Sequence, residues 1–306
     1  MLSEIKAMPE KAKDFLANPI VYTLPVGVPY LGMGSSYFAA LAFKYMGIGI
    51  HPELASEFFN YLDKGTKLPA GVLLSQSGRS TEVLWCAELF KQYIAISNYP
   101  ESPLCRFPGV ANIIPLLAGE EHYSSSKTYI NTLLALFKGF NMDVKQAVKL
   151  LNDNMQQYDQ QGSDLADAVF ELLQQNKVNG LYITGSGPNI ATAMQAALIM
   201  SESTKLNFNG MAMAQYDHGP KETAKDSIVI QVTANGKSYQ RSKKLTETLR
   251  TAGAHVFTVE ETGAAENESI LHNIVPFNFM AYYLSLKLNI GETFVVGGKI
   301  TEVDQS

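Results

Sequence analysis

Short apolar runs recur along this chain, each leading into a cluster of glycine and hydroxyl residues and then into a stretch with helical spacing. The first lies near residues 28 to 33, followed by a turn at Gly32 to Ser36 and a helix from Tyr37 to about Met46. The second, GVLLS at 71 to 75, runs into QSGRS and a helix over 80 to 92, with further strands at YIAIS (93 to 97) and NIIPL (112 to 116). Helices are also predicted over 1 to 17, over 126 to 138 with Ser125 or Ser126 as cap, and over 143 to 160. Strands that are apolar on both faces and alternate with helices predict a parallel sheet covered on both sides.

The pattern then begins again. A strand, a Gly/Ser turn and a helix span 179 to 205, with Gly185-x-Gly187 standing where the first half has Gly32-x-Gly34. Another strand, turn and helix follow at 227 to 250, then strands at 255 to 261 and at NIVPF, 273 to 277. The chain therefore reads as a duplicated α/β fold, with domains at 1–160 and 161–306. The copies differ at one turn: SQSGRST in the first becomes TANGKSY in the second, so a full set of hydroxyls survives only in the first.

With 306 residues, 46% of them hydrophobic, the chain can bury one large core or two ordinary ones. A net charge of -5 argues against nucleic acid as a partner, and the longest apolar stretch, 191 to 200, is too short to span a membrane. The two cysteines, Cys86 and Cys105, stand outside any motif, and no apolar leader precedes the first polar helix, so a reducing cytoplasm is expected. The five histidines show no ligand spacing, and neither a metal nor a cofactor is expected.

Turns between a strand and a helix in an open parallel sheet collect anions, because helix N–H groups and the dipole point at them. Ser75, Ser77 and Ser80 add hydroxyl donors around Gly78, and Ser35 and Ser36 stand at the neighbouring strand end. Serines that merely cap helices are the alternative reading of each position taken singly; the set favours an anion cradle. Lys127 follows three serines at a helix start, where a cation opposes the helix dipole, which predicts that it answers a carboxylate or a phosphate.

The motifs GMGSSY, LSQSGRS, YSSSKTY and DHGP, in this order, resemble the sugar isomerase (SIS) family, and within it the isomerase half of glucosamine-6-phosphate synthase and the related sugar-phosphate deaminases. The resemblance implies two tandem flavodoxin-like domains, a small sugar phosphate as ligand, a homodimer, and no cofactor. It implies phosphate contacts from Ser75, Gln76, Ser77 and Ser80, and sugar contacts from Ser36 and Ser125. It assigns proton transfer between C1 and C2 to Glu202, ring opening to His218 and an imine to Lys299. Arg79, Gln215 and Ile199 depart from the synthase pattern around the sugar. No cysteine stands beside Met1, so a phosphosugar isomerase or amino-sugar-phosphate deaminase without glutaminase activity is expected. A non-catalytic sugar-phosphate-binding regulator is the alternative.

The residues can be weighed apart from that resemblance. Glu202 ends an almost wholly apolar helix, which predicts burial and a raised pKa, unless it pairs with Lys205. His218 precedes Gly219-Pro220 and so sits on a loop, poised to titrate or simply solvated. Lys299 lies in a glycine-flanked tail able to reach a cleft or to remain in solvent.

Overall fold

The computed structural model describes residues 1–175 and 178–300 and divides into two compact units. One comprises Ala7–Lys145 with the chain from Phe294 onward; the other comprises Met1–Lys6 with Gln146–Thr293. The expected divide at 160/161 falls inside the helix Met155–Gln175, whose apolar stripe is buried within the second unit.

In the first unit, β1 (Pro29–Gly32), β2 (His51–Leu54), β3 (Leu68–Leu74), β4 (Phe90–Ser97) and β5 (Val110–Pro115) form a parallel sheet in the order β2-β1-β3-β4-β5. The helices Ser35–Tyr45 and Lys127–Gly139 pair on one side, Phe43 meeting Phe137 edge-on at 4.8 Å between ring centres. Leu31, Leu73, Phe58, Val83, Cys86 and Phe90 form a separate buried cluster. Each such Leu or Phe taken out of water contributes about 1.5–3 kcal/mol. Burial pushes the Cys86 thiol up to about 12, so it packs as an apolar group and is no nucleophile. Because every strand runs the same way, the turns after β1, β3, β4 and β5 all emerge at one edge.

In the second unit, β6 (Leu181–Gly185), β7 (Phe208–Ala212), β8 (Ile228–Val232) and β9 (His255–Val259) are likewise parallel, in the order β7-β6-β8-β9. Both copies thus continue the α/β plan read from the sequence, with one correction. Residues 273 to 277 are not a strand; they lie at the end of the short helix Ile270–Asn273 and the start of the helix Val275–Lys287. That segment is apolar all round, which suits a buried helix as well as a buried strand, and Pro276 sits in the first turn where its missing N–H costs nothing. Gly162 decides the matter in space: a Cβ there would lie 2.4 Å from Phe279 Cβ, so only glycine lets the helix Met155–Gln175 approach so closely.

Smaller differences have local causes. The helix expected over 80 to 92 ends at Ala87 because Phe90 already belongs to β4, and the one expected over 143 to 160 is two helices, Lys145–Asp153 and Met155–Gln175. No helix among the described residues is long and apolar enough to cross a membrane.

A buried polar network ties the second unit together. Tyr158 donates its hydroxyl to Glu261 at 2.7 Å, and Asn154 donates to the same oxygen at 2.9 Å. Tyr158 has one proton, so its 3.0 Å contact with His272 Nδ1 makes that nitrogen the donor and leaves Nε2, which has no partner, as a bare lone pair. Burial lowers the His272 pKa from 6.5 to about 4, against a weaker opposing pull from Glu261. The unfolded chain therefore binds a proton before the folded one does. Stability should hold above pH 6.5 and fall by about 3 kcal/mol as the pH drops from 6.5 to 4, the loss ending below that. Denaturant unfolding across this range checks it, and in His272→Asn the same interval should lose most of its slope.

Candidate functional site

The turn after β3 is built by its own hydroxyls. Ser75 Oγ accepts the Gly78 N–H at 3.1 Å and lies 3.0 Å from Ser80 Oγ, while Ser77 Oγ accepts the Arg79 N–H at 3.1 Å. Gly78 has φ +63°, and a Cβ there would stand 1.9 Å from Ser102 Oγ, so the position admits glycine alone. The neighbouring chain locks the turn: the Asn98 N–H donates to Gln76 O at 3.0 Å and the Leu104 N–H to Gly78 O at 3.1 Å. Ser75 and Ser77 are buried, Gln76 and Ser80 half-buried and Arg79 exposed. Ser35 and Ser36 are half-buried at the head of the helix that follows β1.

The loop after β5 brings a second set of residues to this edge. Lys127 is buried at 8% exposure and begins the helix Lys127–Gly139; its Nζ lies 3.9 Å from where a Cβ on Gly119 would be. Of the carboxylate or phosphate expected opposite it, no carboxylate is found paired with it among the described residues. Ser125, two residues earlier, is half-buried.

Glu121, which the sequence did not single out, organises this loop. Its carboxylate accepts the Ser126 N–H at 3.0 Å, Ser126 Oγ at 2.9 Å, the Thr128 N–H at 3.2 Å and the Thr128 hydroxyl. Ser126 is thus the cap residue by position, but Glu121 does the capping. The available signal was a carboxylate shortly before a serine-rich helix start, where the dipole favours it. Lys299 completes the cluster: its Nζ donates to Glu121 Oε2 at 3.2 Å, Glu121 O at 2.8 Å and Tyr123 O at 2.6 Å. The tail lysine therefore belongs to the same unit as the serine turn.

Glu202 and His218 belong to the other unit. Glu202, near the end of the helix Asn189–Thr204, is half-buried and not enclosed, because the chain leaves the helix through left-handed Lys205 one turn on. The Lys205 ammonium donates to the carbonyl oxygens of Glu202, at 2.5 Å, and Thr293. His218 ends the helix Met213–Asp217 and is exposed; its neighbour Asp217 is held below the usual carboxylate range by hydrogen bonds from Lys221 and Arg241. The second copy of the turn carries its own anion. A Cβ on Gly236, the counterpart of Gly78, would meet the Glu266 carboxylate at 2.0 Å, and one on Gly187 would lie 3.6 Å from Glu266 Oε1. A phosphate would be repelled there.

A groove of about 890 Å³ is lined by Asp153, Asn154, the helix Met155–Gln175 and β9, and none of its residues is a site candidate. Among the described residues no cluster of three or more His, Cys, Asp or Glu could hold a metal ion.

No family model matches the chain. It is 24% identical over 305 residues to a glutamine–fructose-6-phosphate aminotransferase (isomerizing) of Wigglesworthia glossinidia brevipalpis, covering 86% of this chain and 49% of the relative. Among solved structures it superposes on the C-terminal domain of the Francisella tularensis glucosamine-fructose-6-phosphate aminotransferase with a TM-score of 0.76 at 17% identity, covering 94% of this chain and 96% of that one. The Thermotoga maritima glucosamine-6-phosphate deaminase gives 0.74 at 18% identity, with 95% of each chain covered. The likeness to these solved structures extends over nearly the whole chain and shows a shared fold. The chain spans about half the length of the curated relatives it matches, and its two parallel sheets belong to the fold it shares with the two solved structures.

The turn geometry of this sugar-isomerase fold generates a test. Gly78→Ala should cost about 2 kcal/mol or more by strain and by collision with Ser102, read by denaturant unfolding. Adding Ser102→Gly should recover only part of the loss, since the backbone strain remains.

Proposed function

We propose that the chain is a phosphosugar isomerase or amino-sugar-phosphate deaminase that binds the phosphate of a hexose or hexosamine 6-phosphate at the Ser75–Ser80 turn. The observation that supports this reading is Lys127: a largely buried lysine that no carboxylate answers among the described residues, at the edge where the serine turn also opens. A cation at a helix start opposes the helix dipole, and an anion arriving from outside would relieve that opposition. The hydroxyls of Ser75, Ser77, Ser80 and Ser36 supply directional donors, with Gln76 beside them, and Lys127 supplies the charge. Ser35 stands beside Ser36 at the helix head, and Ser125 faces the sugar in this reading.

Glu202 is the proposed base. It would take the proton from C2 of an open-chain aldose, leaving an enediolate, and return it to C1 to give the ketose. Where C2 carries an amino group, the same transfer places a C=N bond at C2, and addition of water there releases ammonia and leaves the ketose. A carboxylate suits the transfer because it needs a proton acceptor beside an acidified C–H and nothing more. His218 would assist ring opening, and Lys299 would form an imine with the ketose after leaving Glu121. We propose a homodimer, as the resemblance implies.

The reading is tested by titrating fructose 6-phosphate and glucosamine 6-phosphate while following 31P shifts and thermal stability. Lys127→Met and Ser77→Ala should each weaken binding about 10- to 100-fold, with unchanged folding. Glu202→Gln should bind normally but fail to exchange the C2 proton with deuterated water. Binding insensitive to Lys127 and Ser77 would overturn the phosphate site. Binding by wild type with no exchange for any hexose or hexosamine phosphate would favour a sugar-phosphate sensor.

A further inference from the structure

Glu121 carries two jobs on one carboxylate. Oε1 receives both N–H groups and the Ser126 hydroxyl at the head of the helix Lys127–Gly139, and Oε2 receives the Thr128 hydroxyl and the Lys299 ammonium. The carboxylate side chain has no exposed surface, and the Lys299 side chain keeps only 19% of its own. A carboxylate buried against this many donors is fixed in place, and whatever it grips is fixed with it.

We propose that Glu121 is a positioning residue that latches the C-terminal tail onto the serine loop, holding Lys299 at three oxygens next to Ser125 and Lys127. The neighbouring carbonyls of Glu121 and Tyr123 make the latch specific for an ammonium, since a guanidinium is too wide for three oxygens converging at 2.6 to 3.2 Å. Lys299 is thereby kept at the sugar-facing loop and out of solvent until a ligand competes for that loop. The consequence for catalysis rests on the reading of Lys299 and Ser125 given above; the latch itself does not.

The test is lysine acylation of the full chain, with the modified fraction at each lysine read by mass spectrometry. Lys299 should react several-fold more slowly than exposed Lys64 in the wild type, and Glu121→Gln should raise its rate several-fold while leaving Lys64 unchanged. Glu120→Gln, which alters an exposed carboxylate one residue away, should leave Lys299 protected. Equal Lys299 rates in wild type and Glu121→Gln would overturn the latch. If Glu121→Gln fails to fold, Lys299→Met leaves the cap untouched: residues 294–300 should then exchange their amide hydrogens faster than in the wild type, and equal exchange would overturn the latch. Neither readout needs a substrate, so a failure of sugar-phosphate binding is scored separately. Once a substrate is turned over, Glu121→Gln should lower kcat far more than it raises KM, a split that a purely structural cap would not produce.

Discussion

A lysine that no carboxylate answers among the described residues is the constraint on which the proposed anion site depends. Lys127 is largely buried at a helix start, where the dipole already disfavours it, and among the described residues no carboxylate answers it. Meanwhile Glu121, six residues earlier, is saturated by the helix cap and by Lys299 and does not reach across to neutralise it. On the proposed reading the two side chains divide the work: Glu121 absorbs the donors of the loop and the tail, and Lys127 is left for an incoming anion. The serine turn after β3 then supplies hydroxyls and amides with little bulk at the same edge of the sheet.

The two copies differ at the turn where the anion site is proposed. Gly78 and Gly236 occupy equivalent turns, and both lie so close to a neighbouring side chain that a Cβ is excluded. In the first unit that neighbour is the neutral hydroxyl of Ser102; in the second it is the carboxylate of Glu266. The chain's own carboxylate beside the second turn would disfavour an anion there, and the loss of hydroxyls from SQSGRST to TANGKSY agrees with it.

Much of this was legible in the sequence wherever burial was two-sided. β3, β4, β6 and β8 announce themselves as apolar runs because both faces of a parallel sheet are covered. β2 and β7 do not, since HPEL and FNGMA are short and only partly buried. Residues 273 to 277 misled because an apolar run cannot say whether it is buried as strand or helix; the clue lay in Gly162, far away in sequence. At the site, the serine turn and Lys127 could be read because their chemistry is local. Glu121 and Glu266 could not, since each matters through where a loop folds back, and the burial expected of Glu202 failed because the helix ends one turn later.

Where an anion settles on this chain is the deciding observation. Diffraction from crystals soaked in tungstate, a phosphate mimic with a strong anomalous signal, would show it directly. The account predicts a peak among Ser75, Ser77, Ser80 and Lys127 and none at the 233–238 turn beside Glu266. A peak at that second turn, or an N-terminal turn left empty while tungstate binds elsewhere, would contradict it.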